Sequence, residues 1–160
     1  MVDVVSAEIR SRMMAGIRGK NTKPEMIIRQ GLHGRGFRYL LHDKRLPGKP
    51  DLVFPKYRAV IFVHGCFWHG HDCHLFKWPK TRKSFWRKKI ERNQTIDQSA
   101  LAALAESGWR CCVVWECALK GRSRLAPGEV IKRTIKCLQS RTRKLEIRGN
   151  QRHDPKRALI

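Results

Sequence analysis

Apolar positions along this chain change their period in a regular order, and the changes divide it into elements. Residues 7–17 mix apolar positions with arginines and read as a short basic helix capped by Ser6, with Met13 and Met14 as core filler. Thr22, Pro24 and Glu25 have the spacing of a helix start: threonine as N-cap, proline in the first turn and glutamate three residues on. That helix is expected to run to about Gly34, with glycines at 34 and 36 ending it. Residues 37–41 alternate, 51–54 form a short strand stopped by Pro55, and 58–63 are an apolar, β-branched run. Short turns such as the Leu-Pro-Gly-Lys-Pro at 46–50 join them, so the three read as an antiparallel meander.

The period then becomes helical. Residues 84–107 form a long helix with Ile90, Ala100, Leu101 and Leu104 directed inward and Gly108 as terminator. The nearly continuous apolar run at 109–115 has the character of a central strand, returned by that helix to lie parallel to the strand at 59–63. Pro127 and Gly128 open a last helix whose Val130, Ile131, Ile135 and Leu138 recur on one face. The expected class is α/β, a mixed β-sheet flanked by helices. Residues 1–140 make one domain with a basic N-terminal helix, and the basic, poorly periodic tail at 141–160 frays or faces DNA.

Composition sharpens this. A chain of 160 residues, 41% hydrophobic, is one globular domain with a real core. Its 35 Lys and Arg against 13 Asp and Glu give a formal charge of +22, a self-repelling field that a polyanion relieves, and nucleic acid is the leading partner. Eight of those cations lie at 77–92 (Lys77, Lys80, Arg82, Lys83, Arg87, Lys88, Lys89, Arg92), interleaved with Trp78, Phe85 and Trp86, the composition of a phosphate-tracking surface. The N-terminus has no basic-then-apolar leader and no run approaches a membrane span, so a soluble cytoplasmic protein is expected. Six cysteines in such a setting argue for metal before disulfides.

Chemistry concentrates in 59–73, AVIFVHGCFWHGHDC, a buried strand that empties into cysteines, histidines and aromatics. Cys66, His71 and Cys73 share one loop, and Cys117 follows the strand at 109–115; if the two strands are neighbours, the four form a tetrahedral structural zinc site, with His69 or His74 as alternative nitrogen ligands. Cys111, Cys112 and Cys137 have no local partner set and read as small hydrophobes. Asp51, opening one strand, and His64, ending the next, can face a common pocket with His69, the layout of a metal-dependent phosphodiesterase. Phe67 and Trp68, beside the metal loop, are placed to act as an apolar wedge between base pairs.

Arg10-Ser11 with Met14, Thr22 with Glu25, the Leu-Pro-Gly-Lys-Pro-Asp of 46–51, the Val-Ile-Phe-Val-His-Gly-Cys-Phe-Trp-His of 60–69, His71 with Cys73, and the Val-Trp-Glu-Cys-Ala-Leu of 114–119 together resemble the very-short-patch mismatch repair endonucleases of bacteria. The resemblance spans about 5–122 and is most specific at 47–73. It implies a variant of the PD-(D/E)xK, restriction-endonuclease-like fold and a Mg²⁺-dependent endonuclease. Such an enzyme nicks one strand 5′ of the thymine in a T:G mismatch left by deaminated 5-methylcytosine. Carried over, it makes Asp51 the central Mg²⁺ ligand together with the Val63 main-chain carbonyl. His64 and His69 handle the attacking water and its proton, and Glu25 acts through water beyond the direct ligands. It gives Zn²⁺ to Cys66, His71, Cys73 and Cys117, the duplex wedge to Met14, Phe67 and Trp68, and DNA contacts to Lys89 and Asn93. Val63 stands where threonine is expected and Met13 where a polar residue is. The resemblance further implies a nucleoid-associated monomer working beside mismatch-repair proteins. Rival expectations are a nuclease of a restriction or mobile-element system that cuts paired DNA, and a zinc-stabilised DNA-binding module without catalysis.

Overall fold

The computed structural model describes residues 20–150, together with Ser6 and Glu8. Most of the expected N-terminal helix, including Met13 and Met14, lies outside the described residues. Helix α1 (Lys23–His33) starts where the Thr22 cap requires: the threonine Oγ accepts the Glu25 N–H at 3.4 Å. The glutamate returns the bond one residue further back, accepting the Asn21 N–H at 2.7 Å.

Five strands follow in spatial and chain order: β1 (Leu40–Leu41), β2 (Leu52–Phe54), β3 (Ala59–His64), β4 (Arg110–Trp115) and β5 (Lys144–Ile147). The first two pairings are antiparallel, as the short turns demand, and the last two are parallel. Parallel neighbours need crossovers, supplied by α2 (Lys83–Glu106) between β3 and β4 and by α3 (Pro127–Gln139) between β4 and β5. Gly108, at φ +81, ends α2 as the sequence predicts, and Trp109 N–H closes the turn on Leu104 O at 2.9 Å.

The central strands are covered on both sides, which is why β3 and β4 read as unbroken apolar runs. Alternate residues feed two cores. Ile61, Cys112 and Val114 pack with Ile28 and Leu32 of α1 and Val130, Ile131 and Leu138 of α3. Val60, Phe62, Cys111 and Val113 pack with Leu104 of α2, and this second core continues into Cys66, Cys73 and Cys117. Cys111, Cys112 and Cys137 are buried as expected of small hydrophobes.

Two expectations are corrected. Only Leu40 and Leu41 of the alternating stretch 37–41 pair in the sheet. Phe37 and Tyr39 are used for packing, on Tyr57 and Phe54 at ring-centre distances of 5.9 and 5.6 Å, and the Tyr39 hydroxyl donates to Arg29 O. Residues 144–147 are not a frayed tail but β5, beside β4, so the folded domain continues past the boundary set at 140. Four residues are too few to announce a strand by period, and what selects them is an open edge of β4 that buries Ile147.

Arg110, opening β4, ties three elements together. Its guanidinium donates to Tyr57 O at 2.6 Å and to Cys137 O and Leu138 O at 3.0 and 2.7 Å, with Ser140 O a further acceptor. Those last carbonyls end α3, where a cation is favoured by the helix dipole and the acceptors have no partner within the helix. Arg110→Ala is expected to destabilise the domain by about 2–4 kcal/mol in urea unfolding, well beyond a surface arginine, because several half-buried carbonyls are orphaned together. A loss below about 0.5 kcal/mol would show that water replaces the guanidinium.

Candidate active site and metal centre

Strand register determines the metal centre. His64 lies opposite Trp115 at the shared C-terminal end of β3 and β4, and Cys66 and Cys117 each follow two residues later. The loop then turns back, with His71 N–H donating to Cys66 O at 2.9 Å, and delivers His71 and Cys73 to the same point. The four side chains are buried and their ligand atoms all lie within 4.8 Å of one another. His71 Nδ1 stands 3.5 Å from Cys66 Sγ and 3.6 Å from Cys117 Sγ. Zinc bond lengths of about 2.3 Å to sulfur and about 2.1 Å to nitrogen at a tetrahedral angle place such atoms about 3.6 Å apart, so the donor set fits that ion. Main-chain N–H groups point at the sulfurs, Cys117 N–H at Cys66 Sγ (3.3 Å) and Gly149 N–H at Cys117 Sγ (3.4 Å), as thiolates require. A hydrogen bond from the Cys66 thiol, ahead of the His71 and Gly149 contacts, holds the Cys117 thiol well below the usual range. The two alternative nitrogen ligands are elsewhere: His74 Nδ1 meets Ser123 Oγ at 3.3 Å and His69 pairs with Asp97.

A second constellation lies beside it. His64 and His69 stack face to face, ring centres 3.8 Å apart and planes 6° off parallel, and His69 Nδ1 is 2.5 Å from Asp97 Oδ2 on α2. That carboxylate fixes the His69 tautomer with its proton on Nδ1 and leaves Nε2 free to accept one. His64 is buried, and burial first, then the neighbouring His69, pushes its imidazole down to about 3, so it stays neutral. On the adjoining wall Glu25, His42 and Asp51 gather their ligand atoms within 4.8 Å. Glu25, 1% exposed, accepts from the Asn21 N–H and stands 2.5 Å from His42 Nε2, while Asp51 Oδ2 accepts the Val63 N–H at 2.7 Å. Burial pushes the Asp51 carboxyl up to about 6; the Val63 bond opposes this, nearby Glu25 adds to it, and His42 and His69 pull it back. Asp51 thus feels the Glu25–His42 pair and His69 at once, so the two groups are electrostatic neighbours. Two carboxylates converging beside an imidazole can take a hard divalent cation with water completing its shell.

The third group is aromatic. Phe67 and Trp68 are half-buried and meet edge-on at 5.2 Å, and Trp86 of α2 joins them at 5.3 and 5.9 Å. Lys89 Nζ sits over the Trp68 ring at 5.3 Å, and Asn93 Nδ2 donates to Trp68 O at 2.8 Å. One face of α2, through Asn93, Gln94 and Asp97, therefore carries the loop at 65–73. Gly70, at φ +61, holds a left-handed turn that a side chain would strain, and a Cβ there would also displace the Gln94 amide, 2.4 Å away. Outward from Asn93 runs a groove lined by Phe85, Lys88, Lys89, Arg92 and Ile96.

Residues 2–75 match a family model described as DNA mismatch endonuclease Vsr. The type II nicking enzyme V.XorIIP of Xanthomonas oryzae pv. oryzae is 53% identical over 119 residues, 74% of this chain and 88% of that one. The DNA mismatch endonuclease Vsr of Escherichia coli (strain K12) is 46% identical over 125 residues, 78% of this chain and 80% of that one. The type II nicking enzyme V.NmeAIP of Neisseria meningitidis serogroup A is 44% identical over 123 residues, 77% and 88% respectively. The chain belongs to the Vsr family. It is accordingly a DNA endonuclease of restriction-endonuclease-like α/β fold, with DNA as substrate, and no helix among the described residues is long and apolar enough to cross a membrane.

Placed against this Vsr-type chain, the expected site residues fall into four groups: Glu25 and Asp51; His64 and His69; Cys66, His71, Cys73 and Cys117; and Phe67, Trp68, Lys89 and Asn93. Met14 lies outside the described residues. Sequence reasoning missed His42 and Asp97, and it set Trp86 on the phosphate-tracking surface without joining it to Phe67 and Trp68. Asp97 was within reach, since it lies four residues after Asn93 on a helix already expected to face the site. His42 carried no such signal: it follows a two-residue strand in a left-handed conformation, φ +47, that no spacing rule points to.

The raised Asp51 carboxyl gives a stability prediction. Its folded value, about 6, exceeds the 3.8 of an unperturbed aspartate, so the native state binds the proton more tightly than the unfolded chain. Stability therefore falls as pH rises from about 4 to about 6, and above that the ionised carboxylate costs on the order of 3 kcal/mol. Without divalent cations, Asp51→Asn is expected to be more stable than wild type in urea at pH 7.5, with the gain vanishing near pH 4. A less stable variant at pH 7.5 would mean that its neighbours hold the carboxylate more strongly than burial repels it.

Proposed function

We propose that the protein starts very-short-patch repair by nicking one DNA strand 5′ of the thymine in a T:G mismatch arising from deaminated 5-methylcytosine. The observation that carries this reading is the adjacency, on one short loop, of a proton acceptor at His69 and an aromatic wedge at Phe67 and Trp68. An enzyme that cleaves next to an opened base pair needs both within a few ångströms of each other.

Asp51, with the Val63 carbonyl, would hold Mg²⁺, Glu25 would act on it through water, and Cys66, His71, Cys73 and Cys117 would hold Zn²⁺. Bound Mg²⁺ would neutralise charge on the scissile phosphate and favour in-line attack by water. His69, its Nδ1–H directed to Asp97, takes the water proton on Nε2; the neutral His64 stacked beneath it keeps that ring in place. Water adds to phosphorus as the opposite P–O bond breaks, one strand at a time, because a monomer carries one such site. Phe67 and Trp68, with Met14, enter the duplex and offset the unstacking by aromatic contact. Lys89 and Asn93 contact DNA beside them, and the cations along α2 hold the backbone. Zinc keeps the loop in place and takes no part in the proton transfers. The +22 charge suits a nucleoid-associated protein.

A second reading, cleavage of paired DNA in a restriction system, draws on relatives whose names are those of type II nicking enzymes. Nicking of a T:G duplex against its C:G counterpart separates the two. A strong preference for T:G is expected, and equal rates would replace the mismatch reading by the second. Asp51→Ala should lower Mg²⁺-dependent nicking at least about 10²-fold and His69→Ala about 10²–10⁴-fold. Undiminished nicking by both would leave the pocket without its assigned role. Stripping zinc with a strong chelator should lower the melting temperature as well as activity, because structural zinc binding is folding free energy. A zinc-free protein of unchanged melting temperature would remove the four-ligand assignment.

A further inference from the structure

We infer that the segment following β5 is a built-in strap of the metal centre, setting how firmly zinc is held through Gly149 and through an Arg148–Asp72 pair that presses on His71. The inference rests on the zinc reading above. A centre of three thiolates and one neutral imidazole around a divalent cation carries a net charge of −1. Such a charge in a buried position needs donors and nearby cations. Three main-chain N–H groups serve these sulfurs: Cys117 N–H on Cys66, Leu75 N–H on Cys73, and Gly149 N–H, 3.4 Å from Cys117 Sγ. Only glycine allows that approach: a Cβ at 149 would lie 2.5 Å from both Cys117 O and Ser123 Oγ. Asn150 N–H anchors the strap on Ser123 O at 2.7 Å.

Arg148 does the rest. One guanidinium nitrogen meets Asp72 Oδ1 at 2.9 Å and the other donates to Asp72 O at 3.1 Å. Asp72 sits between the ligands His71 and Cys73, and its Oδ1 is also 3.6 Å from His71 Nε2, the ring nitrogen pointing away from the sulfurs. That nitrogen is buried without a hydrogen-bond partner, so the carboxylate is its nearest anionic neighbour and biases the ring by charge from just beyond hydrogen-bond reach. The Asp72 side chain is 74% exposed, so the ion pair adds little stability by itself. Its leverage comes from holding both the main chain and the side chain of the residue between two ligands. Arg148 is therefore a positioning residue.

Zinc content of the purified full chain is measured first. One zinc per chain is expected, and its absence would overturn the zinc reading, and this inference with it. Release of zinc to the chromogenic chelator 4-(2-pyridylazo)resorcinol is then followed for wild type, Arg148→Gln, Asp72→Asn, the double variant and Lys144→Gln. Lys144 serves as the control, a β5 cation on an exposed side chain. Arg148→Gln and Asp72→Asn should each release zinc about tenfold faster. The double variant should match the singles, and Lys144→Gln should match wild type. In the cobalt-substituted protein the two single variants should shift the thiolate charge-transfer bands, which a loss of general stability would leave unmoved. Normal zinc content with Arg148→Gln and Asp72→Asn both releasing at the wild-type rate would overturn the strap while leaving the zinc reading standing.

Discussion

The parallel pairing of β3 with β4 puts His64 beside Trp115, and from that register the neighbouring sites follow. Two strands that end together present the residues just beyond their ends to each other, so Cys66 and Cys117 meet with no long loop to order. Backbone entropy is the main cost of shaping a functional loop. Here the sheet fixes one end of the 65–73 loop, the cysteine–histidine cluster gathers its far side, and α2 covers its flank through Asn93, Gln94 and Asp97. Lose the pairing and Phe67, Trp68, His69 and the cysteine–histidine cluster scatter together.

The same helix serves two purposes because its faces differ. Toward the sheet it buries Ile90, Ala100 and Leu104. Toward the loop it offers polar groups, and outward it carries cations and the exposed ring of Phe85, beside the exposed Trp78 of the preceding loop. Arg82 lies over Phe85 at 4.2 Å and Arg87 over Trp78 at 5.4 Å. Cation–π contacts of this kind hold long side chains out from the surface where a polyanion can meet them. Several acidic residues are turned inward: Glu25 and Asp51 gather with His42, Asp97 pairs with His69, and Glu116 Oε2 accepts the Cys66 N–H at 3.1 Å. A cationic exterior around an anionic pocket draws DNA to the surface and a divalent cation to the centre.

Stability and chemistry pull against each other at Asp51. Its carboxylate is held close to Glu25 and away from bulk water, a poor arrangement for folding and a suitable one for holding a cation. A metal held by the cysteine–histidine cluster would work in the opposite sense, adding order beside that carboxylate.

The element plan was legible in the sequence because it rests on local chemistry: the Thr22 cap, the Gly108 stop, the β-branched runs of β3 and β4, and the helical period of α3. The soft-ligand loop was legible for a related reason, since residue types so ill-suited to ordinary loops need a cause. What only the tertiary structure decided are the relations between elements distant in sequence. Asp97 behind His69, His42 against Glu25, and Trp86 in the aromatic cluster depend on how α1 and α2 are rotated over the sheet, which no local pattern encodes. The strand at 144–147 forms because β4 offers it an edge, and the Arg148 and Gly149 contacts with the metal loop follow from that edge; their own residues, short and basic, announce neither.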